Sequence, residues 1–306
     1  MNGRKGNGRP GDRKAQERQE PYMKFSVVVV CLNPGGKLKS TMDSILGQTC
    51  RDFEVILKDG GSTDGSVERW RREEGPGQCR QESGAPHGGT VRFFQEKDRG
   101  IYDAMNQAVL CASGDFTIFM NCGDIFADEN VLKRVAQRVE EQRAKGADLG
   151  KLVLYGDTLS GKNNVTITSA PRITGFTCFR NIPCHQSCFY STDLCRGKPF
   201  DLQYRIRADY DHFLWCFYRG GAAFVHVGFP VAAYEGDGYS ESRDNRAQDR
   251  EEHKRITERY MTKGALLRYR AAMACTLAPL RSALAESRRF SGIYHRIQKK
   301  ILRKKN

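Results

Sequence analysis

The sequence has no long hydrophobic run and no closely paired cysteines. None of its apolar stretches approaches the roughly 18 residues that a membrane-spanning helix requires. Its 11 cysteines are an odd number and include no Cys-x-x-Cys motif, which argues against a disulfide framework. Because a signal-peptide pattern is also missing, we expect the chain to work in the reducing cytoplasm, with most thiols serving as small core residues.

One group of cysteines surrounds a histidine and invites a metal hypothesis. Cys178, Cys184, Cys188 and Cys195 flank His185. Zinc sites are built from such ligands, but these spacings match no common zinc pattern. Packed thiols are therefore the favoured interpretation, and a zinc site remains the alternative.

The formal net charge of +14 is confined to the two ends of the chain. Residues 1–20 carry six Lys or Arg against three acids, residues 263–306 carry twelve against one, and residues 21–262 are formally neutral. A neutral body argues against a grip on a nucleic-acid backbone, so no nucleic-acid partner is expected. Basic ends favour contact with an anionic surface, and a nucleic-acid binder that works through its tail is the alternative.

Composition divides the chain into three parts. Residues 1–22 are rich in Gly, Arg, Lys and Gln and predict a disordered basic leader. Residues 23–262 form one body, large enough to bury a substantial core. Residues 263–306 form a basic amphipathic extension.

The body alternates between strand-like and helix-like patterns. Residues 25–32 are a β-branched run typical of a strand buried on both faces. Apolar residues at helical spacing follow, and residues 53–57 make a second short run. This order predicts an α/β fold, a Rossmann-like doubly wound sheet that is mostly parallel. Further strands are predicted at 91–94, 116–120, 152–155 and 223–227, and helices at 101–109, 131–139 and 210–218.

Polar side chains follow four successive predicted strands. They are Asn33, Asp59, Asp98, and Asn121 with Asp124. Asp and Asn also favour turns, which explains any one of them equally well. Ligands of open parallel sheets bind at the carboxyl ends of the strands, so the set as a whole indicates a binding site.

Five stretches occur together in an order typical of one enzyme family. The combined set resembles the inverting glycosyltransferases of family 2, which share the GT-A fold, and the resemblance covers roughly residues 25–240. The stretches are 26–33 (SVVVVCLN), 44–49 (SILGQT), 59–66 (DGGSTDGS), 96–106 (EKDRGIYDAMN) and 114–126 (GDFTIFMNCGDIF).

The resemblance implies a function and a division of the body. Residues 23–130 would be the nucleotide-sugar half and residues 131–262 the acceptor half. The expected reaction moves a sugar from a nucleotide-diphosphate sugar, with a UDP-sugar favoured, to a saccharide or polyprenyl-linked acceptor in bacterial surface-polysaccharide synthesis. A catalytically degenerate nucleotide-sugar-binding protein of the same fold is the alternative.

The resemblance also assigns residues to the nucleotide. The backbone from Val30 through Leu32 to Asn33 and the carboxylate of Asp59 would flank the base and ribose. A carboxylate can accept hydrogen bonds from a base N–H or from ribose hydroxyls. Asp98 would face the nucleoside, and its alternative role is to cap the helix that follows.

The metal motif departs from the family pattern. Many relatives carry Asp-x-Asp-Asp after the fourth strand, where this chain has Asn121, Cys122, Gly123 and Asp124. Asp124 is expected to hold Mg²⁺ or Mn²⁺, because these ions keep waters and take further oxygens from phosphates. Asn121 would add an amide oxygen or orient a water, and capping of the next helix by Asp124 is the alternative.

The resemblance places the catalytic base in the second half, at an acid that opens a helix. We choose Asp209 over Asp211, because the apolar stripe of the predicted helix leaves Asp209 at the first turn, facing a cleft. A capping role for Asp209 remains the alternative. His185 and Gln186 resemble a pair beside the acceptor cleft, although a packed histidine is equally consistent. The Gly-rich residues 234–240 resemble a loop that orders over bound nucleotide.

The basic extension carries apolar residues at helical spacing. The stripe at 290, 293, 294, 297 and 301 is bordered by Lys and Arg, which suits a helix on an anionic membrane surface. A peripheral position on the inner face of the cell membrane would follow. A terminal helix packed on its own domain is the alternative.

Overall fold

The computed structural model describes residues 25–73, 90–161, 165–234 and 245–275. The predicted leader, nearly all of the Gly-rich segment 234–240, and the tail beyond Cys275 with its apolar stripe lie outside these residues. Among the described residues, no helix has the length and apolar character needed to span a bilayer.

Strands and helices alternate along the described ranges. The strands are β1 Phe25–Cys31, β2 Phe53–Asp59, β3 Thr90–Gln95, β4 Phe116–Phe119, β5 Asp124–Phe126, β6 Leu152–Ser160, β7 Val165–Ile167, β8 Cys188–Ser191 and β9 Ala223–Tyr234. The helices are α1 Lys37–Leu46, α2 Ser66–Glu73, α3 Ile101–Cys111, α4 Val131–Ala144, α5 Gly175–Arg180, α6 Thr192–Gly197, α7 Ala208–Tyr218, α8 Arg246–Tyr260 and α9 Lys263–Cys275.

The strands form one mixed sheet in the order β3-β2-β1-β4-β8-β6-β9-β5, with β7 paired to β6. The first four strands run parallel, and Phe25 lies opposite both Phe53 and Phe116. β8 runs antiparallel to β4 and β6, whereas β9 runs parallel to β6. The in-register start of β1, β2 and β4 brings their carboxyl ends to one rim.

Helices cover both faces of the sheet, as a doubly wound fold requires. Alternate residues of β1 point to opposite faces, so Val27 and Val29 join one core and Val28 and Val30 join the other. The first core packs α1, α2 and α4, and the second packs α3, α6, α7 and α8. The continuous apolar run of β1 therefore satisfies two cores at once.

Several predicted boundaries differ from the structure. β2 includes Asp59 as its last residue, and β4 ends one residue earlier than predicted. β6 and β9 run on to Ser160 and Tyr234, past a register irregularity near Asp157. Polar residues and this irregularity break the apolar pattern there, so the pattern stops before the strand does.

Seven elements of the described residues were not predicted: α2, β5, β7, α5, β8, α6 and α8. β5 has only three residues, β8 has four, and α8 is strongly polar, with Glu252, Ile256 and Thr257 as its buried residues. Short strands give no measurable period, and a helix with so narrow a buried face gives no apolar stripe.

The first part of the basic extension packs on the body as α9. Leu266 is buried in the second core, and the ring of Tyr269 contacts Phe176 and Phe179 of α5. Residues 263–275 thus belong structurally to the domain.

Candidate active site

The ends of β1 and β2 are joined by the backbone and side chain of Asn33. Its side-chain carbonyl accepts from the backbone N–H of Thr63 at 2.8 Å, and its own N–H donates to Ser62 Oγ at 2.8 Å. The φ angle of Asn33 is 50°, a left-handed conformation that Asn tolerates better than most residues. Asn33 therefore fixes the shape of the rim beside Leu32.

Asp59 is fully buried at the end of β2, and hydrogen bonds occupy its carboxylate. Oδ1 accepts from the hydroxyl and the N–H of Ser62 at 2.6 and 3.0 Å, and Oδ2 accepts from Gln95 Nε2 at 2.9 Å. These bonds order the turn after β2. Asp59 thus shapes the predicted nucleotide site from beneath.

Asp98 lies on the loop between β3 and α3 and forms a buried ion pair. Lys58 Nζ donates to Asp98 Oδ2 at 3.1 Å, and Asp98 Oδ1 accepts from the Gly100 N–H at 3.0 Å. Gly100, not Asp98, is the N-cap residue of α3. A Cβ at Gly60 would lie 2.7 Å from Asp98 Oδ2, so glycine permits this close approach of the two loops.

A cavity of about 430 Å³ opens at this rim. Val30 and Leu32 form one wall, and the start of α3, including Tyr102, forms a second. Leu32 is 62% exposed, which leaves its side chain free to contact a ligand. A third wall from Leu202, Tyr204 and Arg205 was missed by the sequence analysis, because nothing in its pattern points to a ligand.

The reduced metal motif forms a tight turn into β5. Asp124 Oδ2 accepts from the Asn121 N–H at 3.1 Å, and the Asp124 carbonyl accepts from Thr41 Oγ1 at 2.8 Å. Burial raises the pKa of Asp124, while the neighbouring His185 and Lys37 act in the opposite direction. Asp124 does not cap a helix, since α4 begins at Val131 after Asn130.

The residues of this turn fit a divalent cation held partly by substrate. Asn121 Oδ1 is buried without a hydrogen-bond partner in the described structure, and it belongs to the same turn as the carboxylate of Asp124. Two such oxygens suit Mg²⁺ or Mn²⁺, provided that waters and phosphate oxygens complete the shell.

The cysteine group around His185 does not form a metal site. The described residues contain no cluster of three or more His, Cys, Asp or Glu side chains placed to hold an ion. Burial raises the pKa of the Cys188 and Cys195 thiols, so they remain protonated in the core. The packed-thiol interpretation accounts for them.

His185 connects the turn that holds Asn121 and Asp124 to the predicted base, Asp209. Its Nε2 lies 3.0 Å from Asn121 Nδ2, and its Nδ1 lies 3.6 Å from Asp209 Oδ2. An amide N–H that donates to Nε2 leaves the proton of neutral imidazole on Nδ1, facing the carboxylate. Gln186 is buried beside it in the 3-10 turn His185–Ser187. These contacts thus connect Asp124, Asn121, His185 and Asp209 in one line of neighbouring residues.

Asp209 lies in the first turn of α7, and Tyr102 contacts it from α3. The Tyr102 hydroxyl is 3.0 Å from Asp209 Oδ1. Arg207 is the N-cap residue of α7, so Asp209 does not have the capping role. Asp209 keeps 23% of its side chain exposed, which leaves the carboxylate partly accessible to solvent.

The loop before α7 is anchored by a residue that the sequence analysis missed. The buried carboxylate of Glu252 accepts the backbone N–H groups of Arg205, Ile206 and Arg207 at 2.9–3.0 Å. Arg207 also pairs with Asp249 at 2.7 Å. α8 therefore fixes the segment that leads into Asp209.

Comparisons with known proteins show the family of the chain. Residues 26–192 match the family described as Glycosyl transferase family 2. A PGL/p-HBAD biosynthesis glycosyltransferase of Mycobacterium bovis is 32% identical over 212 residues, covering 69% of this chain and 76% of that protein. Glycosyltransferase GlyG of Streptococcus pneumoniae is 32% identical over 121 residues, 39% of this chain and 36% of that protein. The chain is a glycosyltransferase. More particularly, it belongs to glycosyltransferase family 2.

Solved structures establish the fold. The mannosyltransferase PcManGT from Pyrobaculum calidifontis, in complex with GDP-Man and Mn²⁺, gives a TM-score of 0.57 at 17% identity and covers 89% of this chain and 83% of its own. S. aureus TarS 1–349 in complex with UDP gives a TM-score of 0.55 at 19% identity, and the match covers 76% of this chain and 64% of the TarS chain. This chain spans 37% of the longer TarS chain. The predicted GT-A fold is confirmed.

Proposed function

We propose that this enzyme transfers a sugar from a nucleotide-diphosphate sugar to an acceptor hydroxyl with inversion, and that Asp209 is the general base. The observation that carries the proposal is the line from Asp124 through Asn121 and His185 to Asp209, since Asp209 also contacts Tyr102 in the wall of the cavity. One end of this line suits a diphosphate with its cation, and the other end suits an acceptor.

Each residue of this line has a separate role in the proposed reaction. Asp209 takes the proton of the acceptor hydroxyl as that oxygen attacks the anomeric carbon from the face opposite the diphosphate. A single displacement inverts the configuration and needs one base. Asp124 and Asn121 would hold Mg²⁺ or Mn²⁺, which supplies positive charge to the departing diphosphate. His185 orients the Asp209 carboxylate through its Nδ1.

The donor is proposed to be a UDP-sugar bound in the cavity. TarS 1–349 has been solved with UDP-GlcNAc, whereas PcManGT holds GDP-Man, so both nucleotide classes occur on this fold. Leu32 and Ile101 offer apolar surface to a base, and Asp98 is placed nearby at the cavity wall.

A melting-temperature panel tests the donor site. UDP-, GDP-, dTDP- and CMP-sugars are added with and without Mn²⁺ to the parent chain, to Asp124→Ala and to the matched control Asp43→Ala, an exposed acid on α1. A donor at about 100 times its Kd stabilises a protein by about 2.7 kcal/mol, which raises the melting temperature by several degrees. We expect a Mn²⁺-dependent rise that Asp43→Ala keeps and Asp124→Ala loses.

An activity assay on the same variants and donors separates the enzyme from a degenerate binding protein. Transfer or donor hydrolysis by the parent chain, lost in Asp124→Ala, supports catalysis. Donor binding without any turnover would instead support the degenerate protein, which the missing acids at Asn121 and Gly123 bring into consideration. The absence of a response to every donor would contradict both.

The acceptor is proposed to be lipid-linked and presented at an anionic membrane surface. Residues 276–306 carry nine Lys or Arg and one acid, Glu286. Surface-facing basic residues contribute about 1 kcal/mol each to such binding. A chain that ends at Cys275 keeps α9 and should keep its melting temperature, yet it should no longer sediment with anionic vesicles. Equal sedimentation of both chains would contradict this role of the tail.

A further inference from the structure

Tyr102 stands between the donor cavity and the proposed base. It lies in the first turn of α3, lines the cavity and is half-buried. Its hydroxyl lies 2.6 Å from the Ile206 carbonyl and 3.0 Å from Asp209 Oδ1. Both of these are acceptors, and a phenol has only one proton to donate. The hydroxyl is therefore shared between the backbone before α7 and the carboxylate within it.

The surroundings keep this hydroxyl a donor. Burial and the negative charge of Asp209 raise the pKa of Tyr102 well above its usual range, so the phenol stays protonated. The ring is held independently of the hydroxyl, because it packs against Phe200 with ring centroids 5.5 Å apart. Loss of the oxygen alone should leave the ring in place.

The start of α3 is itself fixed from the nucleotide side. Lys58 pairs with Asp98, and the Arg99 N–H donates to Asp103 Oδ2 at 2.9 Å. If a ligand in the cavity displaced the loop between β3 and α3, Tyr102 would move with it, because Tyr102 lies in the first turn of the helix that follows. No other described aromatic residue both lines the cavity and contacts Asp209.

We infer that Tyr102 is a positioning residue for catalysis: its hydroxyl fixes the Asp209 carboxylate for proton abstraction and ties the orientation of that carboxylate to the wall of the donor cavity. The inference rests on the proposed function, because it assumes that Asp209 is the base. Oδ1 is held by Tyr102, which leaves Oδ2, the oxygen nearest His185, to receive the proton of the acceptor.

Loss of the hydroxyl has a definite effect on pH dependence. The ionisable groups around Asp209 include Tyr102 on α3, His185 in the 3-10 turn and Arg207 on its own loop, with Glu252 on α8 near Tyr102. The thiols of Cys184 and Cys188 and the phenol of Tyr190 also interact electrostatically with its carboxylate. A hydrogen bond to the ionised carboxylate favours the form that acts as a base, so loss of the hydroxyl removes part of that support. The acidic limb of kcat against pH should then move to higher pH.

The experiment compares Tyr102→Phe with Tyr155→Phe in a transfer assay. Tyr155 is a matched control, since its hydroxyl donates to the Ala170 carbonyl at 2.8 Å, its side chain is buried, and it forms no hydrogen bond to Asp209 in the described structure. We expect Tyr102→Phe to lower kcat by roughly 10- to 100-fold with the donor KM within about threefold, and to shift the acidic limb upward. Tyr155→Phe should keep both kcat and the pH profile.

A double variant separates the possible outcomes. If Tyr102 acts through Asp209, adding Tyr102→Phe to Asp209→Asn should cause little further loss, because the two residues then act as one unit. A Tyr102→Phe enzyme that behaves like Tyr155→Phe, while Asp209→Asn is inactive, would overturn the positioning role and leave the proposed function intact. Full activity of Asp209→Asn would remove the base and the inference together.

Discussion

Two carboxylates of α7 lie two residues apart and face opposite surroundings. Asp211 is fully buried, 2.8 Å from Lys198 Nζ, and it also contacts Arg259 and Tyr260. Asp209 is partly exposed beside His185. Residues two apart on a helix point to nearly opposite sides, so one acid serves the core and the other serves the cleft.

This contrast predicts different effects of the same substitution at the two positions. Asp209→Asn should lower kcat by about 10² to 10⁴-fold with little change in melting temperature, because it removes a general base from a partly exposed site. Asp211→Asn should lower the free energy of unfolding by about 1–3 kcal/mol, because it removes the buried charge that pairs with the partly exposed cations of Lys198 and Arg259. Steady-state kinetics and urea unfolding measure the two effects. The reverse pattern would exchange the roles of the two acids.

Among single residues of the candidate site, acids and amides were easier to predict from the sequence than aromatic residues. Asn33, Asp59, Asp98 and Asp124 follow or end strands, and chain order alone predicts that they share a rim. Tyr102 could not be found in this way, because an aromatic residue at helical spacing is expected in the core. Its second role is visible only when α3 and α7 are placed side by side.

Among the elements, α8 is one of the most polar helices, yet it makes one of the more important contacts. The carboxylate of Glu252 accepts hydrogen bonds from three consecutive backbone N–H groups, and Gln248 Nε2 donates a fourth hydrogen bond to it at 2.9 Å. A carboxylate in this arrangement satisfies the backbone hydrogen-bond donors that would otherwise be left unpaired before α7.

Glu252→Ala should therefore loosen the start of α7. We expect a loss of about 2–4 kcal/mol in the free energy of unfolding, because several buried N–H groups lose their acceptor. We also expect a lower kcat, because the segment leading into Asp209 is released. Glu251→Ala is the control, since Glu251 is exposed on the same helix. Equal stability of the two variants, measured by urea unfolding, would show that the anchor is dispensable.

The predictability of each element follows from how it is buried. β1, β2 and β4 are short apolar runs enclosed on both faces, so they stand out from sequence alone. β6 and β9 continue past Asp157 with mixed polarity, and a Cβ at Gly156 would lie 2.5 Å from the Phe229 carbonyl. Such a close contact between two strands depends on their pairing, which a single-sequence pattern does not contain.

In the molecule as a whole, buried histidines make folding sensitive to acid. Burial lowers the pKa of His212 to about 4 from an ordinary value of 6.5, and it also lowers the pKa of His253. His212 donates from Nδ1 to the Lys198 carbonyl at 2.8 Å and is enclosed by Tyr190 and Phe200. Its neutral ring is thus part of the second core, which also holds α7 in place.

The direction of the pH dependence follows from proton uptake by the unfolded chain. Below about pH 6.5 the unfolded His212 binds a proton, whereas the folded one does so only near pH 4, so stability is lost as the pH falls through this window. Between pH 7 and 5 the expected loss from His212 is about 2 kcal/mol in the free energy of unfolding. Urea unfolding of the parent chain and of His212→Gln at both pH values measures it. The variant should be less stable at pH 7 but should lose less on acidification, with His253 accounting for part of what remains. An identical loss in both chains would mean that other groups take up the protons.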